Sequence, residues 1–122
     1  MVIDSSIFIQ HLRAKDRSRT ELTLLSTPFV FVSSVTLYEL FMGAITPTKW
    51  QDVMDVTQNI PILNFDGSVA EEAGRIFHIL KTSGQLIEFR DIFIAATALV
   101  HQMPVKTLNR KHFIRIPGLQ VL

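Results

Sequence analysis

Two hydrophobic rhythms alternate along the chain. Short apolar runs rich in β-branched and aromatic residues read as strands: Val2-Ile3, Phe29-Val30-Phe31-Val32, Ile62-Leu63-Asn64-Phe65, Pro104 to Thr107, and Leu119 to Leu122 after Pro117-Gly118. Between them lie segments with helical spacing. Ser5 and Ser6 offer N-cap hydroxyls to a helix through Ile7, Phe8, Ile9 and Leu12, and a second helix is expected near Thr20 to Leu25, broken by Pro28. Ser33 and Ser34 cap a helix over Val35 to Met42 that Gly43 ends, and Pro47 opens another running to about Gln58. From Ser68 to Thr82 the pattern is amphipathic, with Ala70, Ala73, Ile76, Phe77 and Leu80 on one face and Glu71, Glu72, Arg75, His78 and Lys81 on the other. Phe89 to Val100 differs from all of these. It is apolar on nearly every side and carries one carboxylate, Asp91, near its start, so it belongs inside a core. A polar turn is expected at Asn109 to His112.

Strands that alternate with helices require crossover connections, which are right-handed and give a mostly parallel sheet covered on both faces. The predicted class is therefore α/β, a three-layer α/β/α arrangement around a mostly parallel central sheet of about five strands. Phe29 to Val32 fits a strand buried on both sides. There is no internal repeat, linker or low-complexity stretch, so residues 1–122 are expected to form one domain.

Composition adds three constraints. Twelve Lys/Arg against eleven Asp/Glu give a net charge of +1, but the distribution is uneven: no acid follows Asp91, whereas Lys106, Arg110, Lys111 and Arg115 do. A basic surface beside an acidic site suits a phosphate-bearing ligand, and a merely solvated face is the plainer alternative. Cysteine is absent, which removes disulfide and thiolate chemistry. An acid at position 4 replaces the basic start of an export signal, and the longest uncharged apolar run, Ile92 to Val100, falls short of the ~20 residues that span a bilayer. The expectation is a soluble, cytoplasmic protein without membrane contact. A hydrophobic fraction of 48% with a mean hydropathy of +0.29 points to apolar surface covered by a second copy or another protein.

Three acids sit in apolar surroundings. Asp4 ends a buried strand, Glu39 lies in the middle of Val35 to Met42, and Asp91 opens the apolar helix. In an open α/β sheet the ligand crevice lies beyond the carboxyl ends of the strands, where Asp4 stands and where the other two can converge. Such a cluster persists only if cations neutralise it, and an oxygen-only donor set without cysteine favours a hard ion, Mg²⁺ or Mn²⁺. Taken singly, each has an ordinary reading: Asp91 as an N-cap, Asp4 as the cap of its own helix, Glu39 salt-bridged to an arginine. Asp66 is expected to cap the helix after it.

These residues carry a resemblance. Val2-Ile3-Asp4-Ser5-Ser6, Ser33-Ser34-Val35-Thr36-Leu37-Tyr38-Glu39-Leu40 with Gly43 beyond it, Arg90-Asp91-Ile92-Phe93-Ile94-Ala95-Ala96, and Thr107-Leu108-Asn109-Arg110-Lys111-His112-Phe113 are similar, in this order and spacing, to the motifs of PIN-domain ribonucleases, specifically the VapC-type toxins of toxin–antitoxin pairs. The resemblance covers the whole chain. It implies a Mg²⁺- or Mn²⁺-dependent endoribonuclease whose metal-binding and catalytic acids are Asp4, Glu39 and Asp91. Ser6, Thr107 and Asn109 would support them. RNA, single-stranded or in a structured loop, would be the substrate, held by Arg90, Arg110, Lys111, His112 and Arg115 or by the turn from Arg13 to Arg19; Trp50 and Phe113 are candidates for stacking on bases, with core packing the plainer reading of Phe113. A cognate antitoxin and a second copy of the chain are the implied partners. One departure stands out: many relatives carry a further acid at the position of Asn109 or His112, and this chain has neither.

Two other readings compete. A PIN-like module that binds RNA or protein without cutting would explain the missing acid. A receiver-like signalling domain would use Asp66 as phosphoacceptor and Lys106 as its lysine, but leaves Glu39 unexplained.

Overall fold

The computed structural model describes residues 1–25 and 27–122. Its strands are β1 (Val2–Ile3), β2 (Val32–Ser33), β3 (Ile62–Leu63) and β4 (Val105–Lys106). Its helices are α1 (Ser5–Arg13), α2 (Ser34–Gly43), α3 (Pro47–Thr57), α4 (Gly67–Thr82), α5 (Phe89–Val100) and α6 (Arg110–Phe113). β1 pairs with β4 and β2 with β3, all parallel, and a single bridge between Val2 and Phe31 joins the two pairs.

Successive residues of a strand face opposite sides, and the core divides accordingly. Val2 and Val105 pack with buried residues of α4, α5 and α6, whereas Ile3 and Val32 pack with those of α1, α2 and α3. Helices thus cover both faces of the strands, as the α/β prediction required. α5 is buried along most of its length, from Asp91 and Ile92 through Ile94 to Ala98. Its alanines Ala95, Ala96 and Ala98 are fully buried, which lets the backbone lie close to its neighbours. Asp66 caps α4 as expected, its carboxylate accepting from the Val69 amide at 3.0 Å.

Several expectations are corrected. Among the described residues there are four two-residue strands, not about five: Leu119 to Leu122 contributes a single bridge, Val121 to Val105. Phe29 to Val32 is not a strand buried on both faces. Only Val32 enters a ladder, Phe29 is 72% exposed, and the preceding main chain is fastened by the Met1 amino group donating to the Phe29 carbonyl at 2.7 Å. The helix expected at Thr20 to Leu25 is replaced by a 3-10 turn at Arg17–Arg19 and irregular turns. There the Thr23 hydroxyl donates to the Arg17 carbonyl and the Thr20 hydroxyl meets His11 Nδ1, side-chain bonds that compete with a helical ladder. α4 is rotated from its predicted face. Val69, Ala73, Ile76 and Leu80, spaced four, three and four, are buried against α5, while Ala70 and Phe77 face out. The polar turn at Asn109 to His112 is the short helix α6.

Candidate active site

The carboxyl ends of β1 and β4 lie side by side, and the segments that leave these two strands are tied together around Asp4. The Asp4 amide donates to the Lys106 carbonyl at 3.0 Å. Its side chain is 1% exposed and accepts from Ser6 Oγ at 2.7 Å and from Thr107 Oγ1 at 2.8 Å, with Ser5 Oγ more distant at 3.4 Å. Asp4 occupies the N-cap position of α1 but makes no capping bond, so the ordinary capping reading fails. Ser6 Oγ in turn accepts from the Leu108 amide at 3.0 Å, and Thr107 Oγ1 accepts from the Asn109 amide at 2.9 Å. Asn109 therefore supports the site through its backbone.

This network gives Thr107 a measurable weight. A hydrogen bond to a charged group contributes roughly 1.5–3 kcal/mol. Thr107→Val is expected to lower stability by about 2 kcal/mol, read as a shifted urea midpoint at unchanged slope, and Thr107→Ser is expected to recover most of it.

α2 brings the second acid. Ser33 caps this helix by accepting from the Thr36 amide at 3.0 Å, which fixes its start directly after β2 and sets Glu39 about one turn in. The Glu39 side chain is 14% exposed, and its Oε1 is buried with no hydrogen-bond partner among the described residues. Burial pushes its carboxyl up to about 7; Arg90 opposes this, and the charges of Asp4, Asp91 and Glu88 add to it.

α5 brings the third. Glu88 holds the N-cap position, so Asp91 sits inside the first turn and is not a cap. Burial raises the Asp91 carboxyl, a hydrogen bond from His112 opposes that, and the Asp4 charge adds to it. Asp4, Glu39 and Asp91 thus sense one another electrostatically although they are 35 to 87 residues apart in sequence.

An imidazole and a guanidinium meet this cluster. His112 Nδ1 lies 3.1 Å from Asp91 Oδ2, and Arg90 Nη1 lies 3.8 Å from Glu39 Oε2 while its Nε donates to Glu88 at 3.0 Å. Neither contact has a sequence signal, because His112 and Arg90 reach their partners across 21 and 51 positions. The structure places His112, expected as an RNA contact, beside Asp91. Glu88 belongs with Arg90, from whose Nε it accepts through both carboxylate oxygens.

The remaining basic candidates divide. Arg110 Nη1 donates to the Val121 carbonyl at 3.0 Å, and Arg115 reaches the Gln85 and Leu86 carbonyls at 3.4 and 3.3 Å, so both hold backbone. Lys111 is exposed on α6. In the basic turn, Arg17 clasps Asp52 through two bonds of 2.9 and 2.6 Å. Phe113 is fully buried, in keeping with the expected core packing, and Trp50 packs on Phe41 with centroids 4.5 Å apart. The receiver reading has no support, because Asp66 caps α4 and Lys106 Nζ pairs with Glu21 at 3.2 Å.

The donor set suits a divalent cation. Two of the three acids are held above their ordinary range by burial and by one another, and one buried carboxylate oxygen lacks a partner. Among the described residues no three His, Cys, Asp or Glu side chains converge closely enough to enclose an ion by themselves.

Comparison with known proteins agrees with this architecture. The PIN domain family model matches residues 1–119. Ribonuclease VapC1 of Methanocaldococcus jannaschii is 31% identical over 93 residues, covering 74% of this chain and 68% of that protein. The tRNA(fMet)-specific endonuclease VapC of Salmonella typhimurium is 28% identical over 124 residues, 98% of this chain and 94% of that protein. Among solved structures, DNA-bound VapBC from Salmonella typhimurium aligns with a TM-score of 0.83 at 27% identity, covering 99% of this chain and 95% of that one.

Proposed function

This chain belongs to the PIN-domain family of VapC-type ribonucleases, and we propose that it hydrolyses RNA with Mg²⁺ or Mn²⁺ held by Asp4, Glu39 and Asp91. The observation that carries this reading is Glu39: an acid in mid-helix, nearly buried, with one oxygen unpartnered and its carboxyl pushed up to about 7 beside two other acids. A structural glutamate would have its oxygens satisfied.

A bound divalent ion supplies an activated water near neutral pH and stabilises the charge that develops on phosphate oxygens. The chain's own groups do the rest. Asp4 is locked in one orientation by Ser6 and Thr107, and because both hydroxyls are committed as donors to it, neither is offered as a covalent nucleophile. His112 supports Asp91 through its Nδ1. Arg90 balances Glu39 and Glu88, which limits repulsion among the acids before cation and substrate arrive. Asn109 brings no charge, so the cluster offers three formal negatives.

By likeness to VapC proteins, residues 1–122 act as one unit and as the toxin of a toxin–antitoxin pair, working on RNA in the cytoplasm and silenced by a cognate antitoxin. Exposed Met42, Ile45, Trp50 and Met54 on and between α2 and α3 are apolar surface available to such a partner or to a second copy in a homodimer. No helix of the described residues is long and apolar enough to cross a membrane.

The test is cleavage of labelled RNA, tRNA included, by the purified chain with Mg²⁺ or Mn²⁺. Cleavage that stops with EDTA and returns with excess Mn²⁺ is the expected result. RNA binding without cleavage under either ion would favour the non-catalytic alternative, for which the absence of a closed three-ligand cluster among the described residues is the specific observation.

A further inference from the structure

Beside the acids lies a second feature that the proposed chemistry does not use. Tyr38, Phe65, Phe89 and Phe93 line a cleft of about 440 Å³ together with Val35 and the Arg90 side chain. The rings are unusually open to solvent for their size: Tyr38 and Phe89 are each 60% exposed and Phe65 is 40% exposed. They are also ordered with respect to one another. Phe65 meets Phe93 edge to face at 4.8 Å, Phe89 meets Phe93 at 5.6 Å, and the Phe65 amide is fixed to the start of α2 by donating to Ser34 Oγ at 3.0 Å.

Position ties this cleft to the site. Tyr38 immediately precedes Glu39, and Phe89 and Arg90 immediately precede Asp91, so the elements that deliver two of the acids also deliver the rings. Arg90 belongs to both, lining the cleft while its Nη1 stands 3.8 Å from Glu39. Aromatic faces next to a guanidinium form a platform on which an unpaired base stacks while the attached phosphate meets positive charge. A second copy of the chain is the competing occupant, but it would have to cover the Arg90 guanidinium together with the rings, at the edge of a site that substrate must reach.

The geometry points to a nucleobase subsite: the cleft of Tyr38, Phe65, Phe89 and Phe93 takes one unstacked base of a single-stranded RNA and so positions a neighbouring phosphate at Asp4, Glu39 and Asp91. This rests on the ribonuclease reading for its substrate class, and it adds the rings that would hold the base.

The experiment is a titration in EDTA, where no cleavage occurs, with a single-stranded oligoribonucleotide carrying 2-aminopurine and with a duplex of equal length. The wild type should quench the 2-aminopurine. Tyr38→Ala and Phe89→Ala, both at exposed positions, should each weaken single-strand binding about fivefold to a hundredfold and leave duplex binding unchanged. Undiminished single-strand affinity in both variants, or no quenching by the wild type, overturns the subsite. So does a change from dimer to monomer in sedimentation with RNA affinity per chain unaltered, since the cleft would then be an interface between copies. The two readings fail separately: quenching that Phe89→Ala abolishes, in a chain that cuts no RNA, keeps the subsite and removes the nuclease, whereas cleavage with undiminished binding in both variants does the reverse.

Discussion

Asp4→Asn is expected to abolish RNA cleavage while leaving the fold intact. The substitution preserves shape and one carbonyl oxygen, so Ser6 and Thr107 still have an acceptor where the carboxylate accepted at 2.7 and 2.8 Å. What it removes is the charge, at a position 1% exposed where water cannot substitute for it. Charge stabilisation by a metal at a reacting phosphate is worth several kcal/mol, so the loss should be on the order of a thousandfold or more in rate. Circular dichroism and a urea midpoint within about 1 kcal/mol of wild type would show that folding is not the cause. Cleavage retained to within tenfold would remove Asp4 from the chemistry, and with it the reason for its triple hydroxyl shell.

Much of this fold is visible in the sequence because the signals are local. The Ser33 and Asp66 caps, the proline opening α3 and the uniform apolarity of α5 each act within a few residues, and each element appears where those residues put it. Failures occur where tertiary contacts decide. Phe29 to Val32 has strong strand composition, yet among the described residues Val32 alone of the four enters a ladder, with Ile62, and Phe31 makes only the bridge to Val2. At Thr20 to Leu25 the hydroxyls of Thr20 and Thr23 take over backbone and histidine contacts that no apolar spacing encodes.

The site divides along the same line. Asp4, Glu39 and Asp91 stand out in sequence because a carboxylate among apolar neighbours has to be explained, and in the structure neither aspartate caps its helix. An arginine beside Glu39 could be expected, but which arginine, and that a histidine would meet Asp91, was not legible. Arg110 and Arg115 look like phosphate contacts from composition alone, and in the structure each also ties down backbone carbonyls, while His112 and Arg90 turn toward the acids. Charge type can be read from the chain, whereas which charge faces which depends on where α5 and α6 cross.

Glu39→Gln should have opposite effects on activity and stability. Cleavage should fall as steeply as with Asp4→Asn, since the variant withdraws a charge from the same cluster. In metal-free buffer, however, the wild-type carboxyl is pushed up to about 7 from an ordinary 4.5, mainly by burial. An acid whose folded value is raised favours the native state while protonated: that contribution is complete below about 4.5 and is lost as pH rises through about 7. The difference corresponds to at most roughly 3 kcal/mol. Glutamine cannot ionise, so the variant should gain on the wild type between pH 5 and 8 and show a flatter stability curve, with Asp91, raised in the same direction, retaining part of the slope. The slope is the cleaner measure, because the glutamine amide inherits the unpartnered position of Oε1 and costs some stability at every pH. Saturating Mn²⁺ at pH 8 should then raise the wild-type melting temperature more than that of the variant, since only the wild type retains all three negative groups that bind the ion in the native state. Parallel pH curves for the two proteins without metal, or equal stabilisation by Mn²⁺, would mean that Glu39 is a structural partner of Arg90 and that the native state tolerates its charge without needing an ion.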